Sequence, residues 1–266
     1  MNIIGQEKLC TWISRTNLDS FPRSLMLIGP SGAGKHLITQ FIADHLNLSH
    51  IDITNKLDLS TINLMYEQVE PYIYVINANE LTIKEENAIL KILEEPLKNA
   101  YIILLAETQD GLLDTITNRC VVWHLNAYTK DQLKTFLTSE NDQILEIALT
   151  PGDVIKLSSM TFNEMNDLAV KLITKIQTAS ISNTLSISDR INWKDDYTKL
   201  DYSLFIRTLL SQIRLFIIEQ PAQQLLSLYR LTADLIKNSH IKNVDKRYLF
   251  EKYLIDARTL MKGDLL

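Results

Sequence analysis

Short apolar runs of strand length recur along the first half of the chain, and stretches whose apolar residues return every three or four positions lie between them. Ser24-Leu25-Met26-Leu27-Ile28 is the first run, and Leu37, Ile38, Phe41, Ile42 and Leu46 come after it with helical spacing. His50-Ile51-Asp52-Ile53 reads as a second strand, residues 71–79 as a third, and further strands fall near Ile102 and Val122. Thr82-Ile83-Lys84-Glu85 has the Thr-x-x-Glu spacing of a capping box, so a helix is predicted from there until Pro96, which lacks the N–H a helix interior needs. Its apolar face is Ile89, Ile92 and Leu93. Strands alternating with helices predict a parallel sheet covered on both faces.

From Tyr128 onward the strand signals stop. Thr129-Lys130-Asp131-Gln132 opens a predicted helix carrying Leu133, Phe136 and Leu137, and residues 142–149 and 153–178 supply further helices. Residues 178–189 are rich in Ser, Thr and Asn and read as a linker. Beyond it, residues 202–219, 223–238 and 245–261 read as three helices, with Phe205, Leu209, Ile213 and Ile217 at three- and four-residue spacing. Tyr197, Tyr202, Tyr229, Tyr248 and Tyr253 are candidates for an interface, although packing with a wet hydroxyl is the commoner use of tyrosine.

Composition narrows the class. At 266 residues and 46% apolar, the chain is long enough for one large core or for two or three smaller domains. No window of eighteen apolar residues occurs, and the N-terminus has no basic region followed by an apolar core, so the expectation is a soluble, cytoplasmic protein. A net charge of −5 argues against a stand-alone DNA binder, whose affinity comes from Lys and Arg on phosphates. Lys84 and Lys91 are the candidates for DNA contact within a complex, against the alternative of a solvated helix face. Cys10 and Cys120 are too few for a structural zinc site and read as small buried hydrophobes in a reducing compartment.

The chemistry enters at Gly29-Pro30-Ser31-Gly32-Ala33-Gly34-Lys35-His36. This segment fits the phosphate-binding pattern G-x-x-x-x-G-K-[ST] except at its last position. Glycine-released N–H groups at a helix N-terminus wrap a phosphate and Lys35 reaches terminal phosphates, but the hydroxyl that holds Mg²⁺ is an imidazole here. A hydrolysing site also needs acids at the end of a second strand. In Pro71-Tyr72-Ile73-Tyr74-Val75-Ile76-Asn77-Ala78-Asn79 that place is Ile76-Asn77 or Asn77-Ala78, and neither contains a carboxylate. Hydrolysis at this site is therefore not expected.

Asn87-Ala88-Ile89-Leu90-Lys91-Ile92-Leu93-Glu94-Glu95-Pro96 closely resembles the N-A-L-L-K-x-L-E-E-P segment of the clamp-loader branch of AAA+ proteins. Ile4-Gly5-Gln6 resembles the family's opening h-G-Q, which in nucleotide-binding relatives lies against the adenine. Residues 101–108 resemble the strand that ends in the γ-phosphate sensor, making Thr108 the sensor candidate. Leu112-Leu113-Asp114-Thr115-Ile116-Thr117-Asn118-Arg119-Cys120 resembles L-L-x-T-I-x-S-R-C, with Asn118 in place of the serine. The basic second-sensor residue is absent from Leu149-Thr150-Pro151-Gly152-Asp153-Val154-Ile155, where Asp153 would face phosphates and repel them. The resemblance is strong over residues 1–125 and rests beyond them on helical character alone.

The resemblance implies an α/β AAA+ P-loop parallel-sheet domain over 1–126, a small helical lid domain over 127–180 and an α-helical collar domain for oligomerisation over 190–266. Among clamp-loader subunits, loss of the metal supports with retention of the arginine resembles the delta-prime type of bacterial DNA polymerase III, in a short form lacking the zinc module. That resemblance implies no intrinsic ATPase, ATP or ADP held without hydrolysis if at all, and no zinc. It implies a pentameric hetero-oligomeric ring with gamma/tau and delta subunits, acting on a sliding clamp and primed DNA, and Arg119 reaching in trans to a neighbour's ATP. The bland alternative for Arg119 is pairing with a local carboxylate. Two other readings stay open: a catalytically active gamma/tau-type ATPase, and a scaffold subunit of another AAA+ assembly.

Overall fold

Five strands, β1 (Ser24–Ile28), β2 (Ser49–Asp52), β3 (Tyr72–Asn77), β4 (Ala100–Ala106) and β5 (Val121–His124), form one sheet in the order β2-β3-β4-β1-β5. Every pairing is parallel, with Ile28 opposite Ala106 and His124, and Asn77 opposite Leu105. This is a computed structural model, and it describes all residues except 1–2, 54–58, 110–111, 159–161, 179, 193–199, 240–243 and 263–266. The chain divides into two compact units, Met1–Gln132 with Thr150–Gly152, and Leu133–Leu149 with Asp153–Leu266.

The central strands β3, β4 and β1 are buried on both faces because they are nearly all apolar, and alternate residues serve opposite cores, whereas the edge strands β2 and β5 are largely exposed or half-buried. Met26, Ile28, Tyr74, Ile76, Ile102 and Leu104 belong to one core, with Ile62 and Met65 of α3 (Leu59–Glu67), Ile89 and Ile92 of α4 (Ile83–Glu94) and Ile116 of α5 (Asp114–Thr117). Leu25, Leu27, Ile73, Val75, Ile103 and Leu105 belong to the other, with Leu9 and Ile13 of α1 (Glu7–Arg15) and Ile38 and Ile42 of α2 (Lys35–Leu46). The predicted capping box is present: Thr82 Oγ1 accepts from the Glu85 N–H at 3.4 Å, and the Glu85 carboxylate accepts from the Thr82 N–H at 2.8 Å. Leu37, placed on the apolar face of α2 by spacing, points outward instead.

Helices dominate the remainder of the chain. The segments α6 (Lys130–Lys134), α7 (Ile144–Ile147) and α8 (Pro151–Lys156) are short; the helix expected over 142–149 is a single turn, and the one expected over 153–178 is described as α8 and, from residue 162, as a second helix. Leu157 and Ser158 continue α8 as a π-helical turn, and α9 (Phe162–Thr178) is the long helix of this part. The expected linker over 178–189 contains α10 (Ile181–Leu185) and a following 3₁₀ turn with Ile187 and Ser188 buried. Ser180 caps it by accepting from the Asn183 N–H at 3.4 Å. A two-residue parallel pair, β6 (Ile191–Asn192) with β7 (Leu200–Asp201), escaped the sequence reading.

The second unit's core is built by α9 with α11 (Tyr202–Glu219), α12 (Gln223–Asn238) and α13 (Lys246–Lys262), the last three close to their predicted bounds. Phe250 stands edge-on to Phe205 and Tyr202, each 6.2 Å away between ring centroids, and stacks on Tyr253 at 6.0 Å. Of the interface tyrosines, Tyr202 and Tyr253 are buried, Tyr229 is half-buried and Tyr248 is exposed; Tyr197 lies outside the described residues.

Candidate functional site

Three strand ends bring the candidate site together at the carboxyl edge of the sheet, where ligands of open α/β sheets bind. β1 runs into the glycine loop, β3 ends at Asn77, and Thr108 follows β4. The Gly29 N–H donates to Ala106 O at 3.0 Å, so the loop leaves the sheet already anchored. Gly32 and Gly34 take φ values of 76° and 90°, which only glycine adopts without strain. No side chain caps the N-terminus of α2. The amides of Gly32, Gly34, Lys35 and His36 make no hydrogen bond among the described residues, and such a cluster of N–H groups suits an anion.

The lysine is turned inward. Lys35 Nζ donates to Gly29 O at 2.5 Å and to Pro30 O at 3.1 Å, and burial lowers its pKa, opposed by the nearby Glu107 carboxylate. Other groups hold the loop's outer carbonyls. The Gly152 N–H donates to Gly32 O at 3.1 Å, and the Tyr128 hydroxyl donates to Ala33 O at 2.8 Å. Burial raises the Tyr128 pKa, partly offset by its hydrogen bond with Gln6. A Cβ built on Gly152 would lie 2.6 Å from Gly32 Cα, and one on Gly32 would lie 2.6 Å from Thr150 Oγ1, so this backbone approach requires two glycines. Ser31 and His36 sit toward the outside of the same loop, while Ala33 is buried.

Gln6, of the opening motif, is fully buried and spends both ends of its amide on Asn126, donating to its carbonyl at 3.0 Å and accepting from its N–H at 2.9 Å. Asp153 is likewise spent: its carboxylate accepts from the Leu149 N–H at 3.0 Å and from Arg207 Nη1 at 2.8 Å. The expectation that Asp153 faces phosphates is thereby corrected, because its charge is neutralised within the second unit by a group distant in sequence.

At the end of β3, Ile76 and Ala78 are buried apolar residues, and the polar group is a carboxamide. Asn77 Oδ1 accepts from the Asn79 N–H and from its Nδ2, each at 3.3 Å, and Asn79 Oδ1 accepts from the Glu107 N–H at 3.2 Å. Two asparagines thus couple the end of β3 to the exit of β4, just before Thr108. Asn79 and Glu107 were missed as site residues; the signal available was their position, directly after two strands that end beside the loop. Among the described residues no group of three His, Cys, Asp or Glu side chains is placed to hold a metal ion. The loop amides fit an anion, whereas His36 and Asn77 do not fit a hard dication.

Arg119 stands just after α5, and its partners are local. Its Nη2 donates to Glu94 Oε1 at 2.6 Å and its Nη1 to Thr115 O at 2.8 Å. The side chain remains 34% exposed. Local pairing with a carboxylate is therefore present, with Glu94 of the N-A-I-L-K-I-L-E-E-P segment as the partner. Asn118 forms the C-cap of α5 and is exposed. Cys120 packs against the core, and burial pushes its thiol up to about 12, which leaves it unreactive.

A parallel sheet with a glycine loop after β1 is a P-loop α/β fold, and a helical C-terminal part follows it. In solved structures the fold recurs in a DNA polymerase III gamma subunit-related protein of Thermotoga maritima, with a TM-score of 0.50 and 16% identity over 96% of this chain and 99% of that one. It recurs also in the RuvB Holliday junction branch migration motor of the same organism, with a TM-score of 0.50 and 19% identity over 94% of this chain and 88% of that one. Residues 66–129 match the family model of the DNA polymerase III delta subunit. The delta-prime subunit of DNA polymerase III from Haemophilus influenzae is 42% identical over 77 residues, which are 27% of this chain and 24% of that protein. The match spans about a quarter of that relative's length. Over this stretch the chain is similar to delta-prime subunits of DNA polymerase III.

Proposed function

We propose that the chain is a non-hydrolysing delta-prime-type subunit of a DNA polymerase III clamp loader, supporting ATP-driven loading of a sliding clamp onto primed DNA. In this reading it joins a pentameric ring with gamma/tau and delta subunits in the cytoplasm, through a helical collar over 190–266, and lends Arg119 to ATP held by a neighbour. The observation that carries the proposal is the pairing of losses: His36 and Asn77 stand where both metal supports belong, in a loop whose Lys35 rests on its own carbonyls. Arg119 meanwhile keeps donors and exposed surface. If ATP or ADP binds, the amides of Gly32, Gly34 and Lys35 with the Lys35 ammonium would hold its phosphates, and those phosphates would supply anionic charge without a metal-assisted cleavage step.

The test is the ATPase of the assembled clamp loader with clamp and primed DNA. Arg119→Ala is expected to lower turnover steeply, since an arginine acting in trans is worth roughly 10³ to 10⁵ in rate, while the isolated chain stays silent. Unchanged ATPase in the Arg119→Ala assembly would remove the trans role. Mg²⁺-dependent turnover by the isolated chain, abolished by Lys35→Ala, would make it a motor subunit instead.

A further inference from the structure

Glu94 is the last residue of α4, and Glu95 and Pro96 come directly after it. Two carboxylates thus stand at a helix C-terminus, where the backbone carbonyls already present partial negative charge and a cation is favoured. Arg119 supplies that cation, 25 residues on, with its Nη2 2.6 Å from Glu94 Oε1. The second anchor is a backbone atom, Thr115 O, which accepts from Nη1 at 2.8 Å. A guanidinium carries five N–H donors in a rigid plane, and these two bonds occupy two of them. Both partners of the ion pair are partly exposed, with 34% of the Arg119 side chain and 52% of the Glu94 side chain accessible. Such pairs contribute little to folding stability. What the pair fixes is the position of a long, otherwise freely rotating side chain whose remaining donors are unspent among the described residues.

We infer that Glu94 is a positioning residue: with the Thr115 carbonyl it holds the Arg119 guanidinium at one place, so that its remaining N–H groups meet a phosphate presented by a neighbouring subunit. This rests on the trans role proposed for Arg119. A fixed guanidinium meets the transferring phosphoryl group without first being ordered, and this pre-organisation acts on turnover rather than on the neighbour's grip on its nucleotide. The charge also matters in the free chain, where Glu94 neutralises the guanidinium.

Two measurements separate the positioning role of Glu94 from the trans role of Arg119. In the isolated chain labelled with ¹⁵N at arginine, the Arg119 guanidinium signals should show restricted rotation in the wild type and free rotation in Glu94→Ala; identical signals overturn the inference. In the reconstituted assembly with clamp and primed DNA, Glu94→Ala should lower kcat roughly tenfold with KM for ATP unchanged. Arg119→Ala should lower it further, and the double variant should match Arg119→Ala alone. Full activity of Glu94→Ala beside a disabled Arg119→Ala overturns the positioning role and leaves the trans arginine standing. Additive losses in the double variant overturn it as well, since Glu94 would then act by another route. Full activity of Arg119→Ala overturns both together.

Discussion

Gly32 and Gly152 meet backbone to backbone, with the Gly152 N–H donating to the Gly32 carbonyl at 3.1 Å across 120 residues of sequence. Neither position has room for a Cβ, because each would come within 2.6 Å of an atom of the opposing turn. The contact holds the crest of the glycine loop from outside while Lys35 holds it from within.

Gly152→Ala should therefore destabilise the α/β unit by about 1–3 kcal/mol, the ordinary cost of forcing an extra methyl into a filled space. Urea unfolding measures it. A midpoint equal to wild type would mean that the two turns part freely.

Nucleotide affinity, whatever its size, should not depend on Mg²⁺. The anion would be held by amides and Lys35, while His36 and Asn77 offer a dication no charged ligand. Calorimetric titration with ATP, with and without Mg²⁺, is the check, and a tenfold gain from the metal would show that the site still holds a dication.

Replacing Asp153 by Ala should cost the second unit about 3–5 kcal/mol, because it strands the Arg207 guanidinium in a nearly buried position. The side chains of the pair are 11% and 14% exposed, respectively. Arg207→Met combined with Asp153→Leu should recover much of the loss, since removing both charges leaves nothing uncompensated. Chemical denaturation of the single and double variants decides it, and equal losses in all of them would point to packing rather than charge.

The capping box of α4 makes a pH-dependent contribution. Hydrogen bonds from the Thr82 N–H and hydroxyl hold the Glu85 carboxyl below its usual 4.5, helped by Lys84. A carboxylate whose pKa is depressed on folding stabilises above its unfolded value and loses that contribution as pH falls through the folded one. Glu85→Ala should thus be destabilising near neutral pH and nearly neutral well below pH 4.5. Unfolding midpoints of variant and wild type at the two ends of that range test the sign.

Local patterns were legible in the sequence and long-range pairings were not. The strands beginning at Ser24, Tyr72 and Ala100 and the helices α11 and α12 followed from apolar spacing alone, because their cores need only the correct face. The glycine loop and the missing acids of β3 were equally visible, since both are matters of residue identity. The linker expectation failed because the Ser and Thr residues that mark loops also cap helices: Ser180 caps α10, and Thr184 Oγ1 donates to Ser180 O at 3.0 Å. Asp153 was misjudged because its partner, Arg207, lies 54 residues away, and nothing near Asp153 announces it. Asn79 and Glu107 form part of the site through a bond that exists only once β3 and β4 pair.

The reciprocal amide bonds between Gln6 and Asn126 join positions 120 residues apart. In the language of chain engineering, the stretch from Gln6, just ahead of α1, to Asn126, just beyond β5, starts and finishes at one doorway. Its connectivity is that of a nearly closed ring, so a short linker across that doorway would let the chain be opened at a different surface turn without unthreading the sheet.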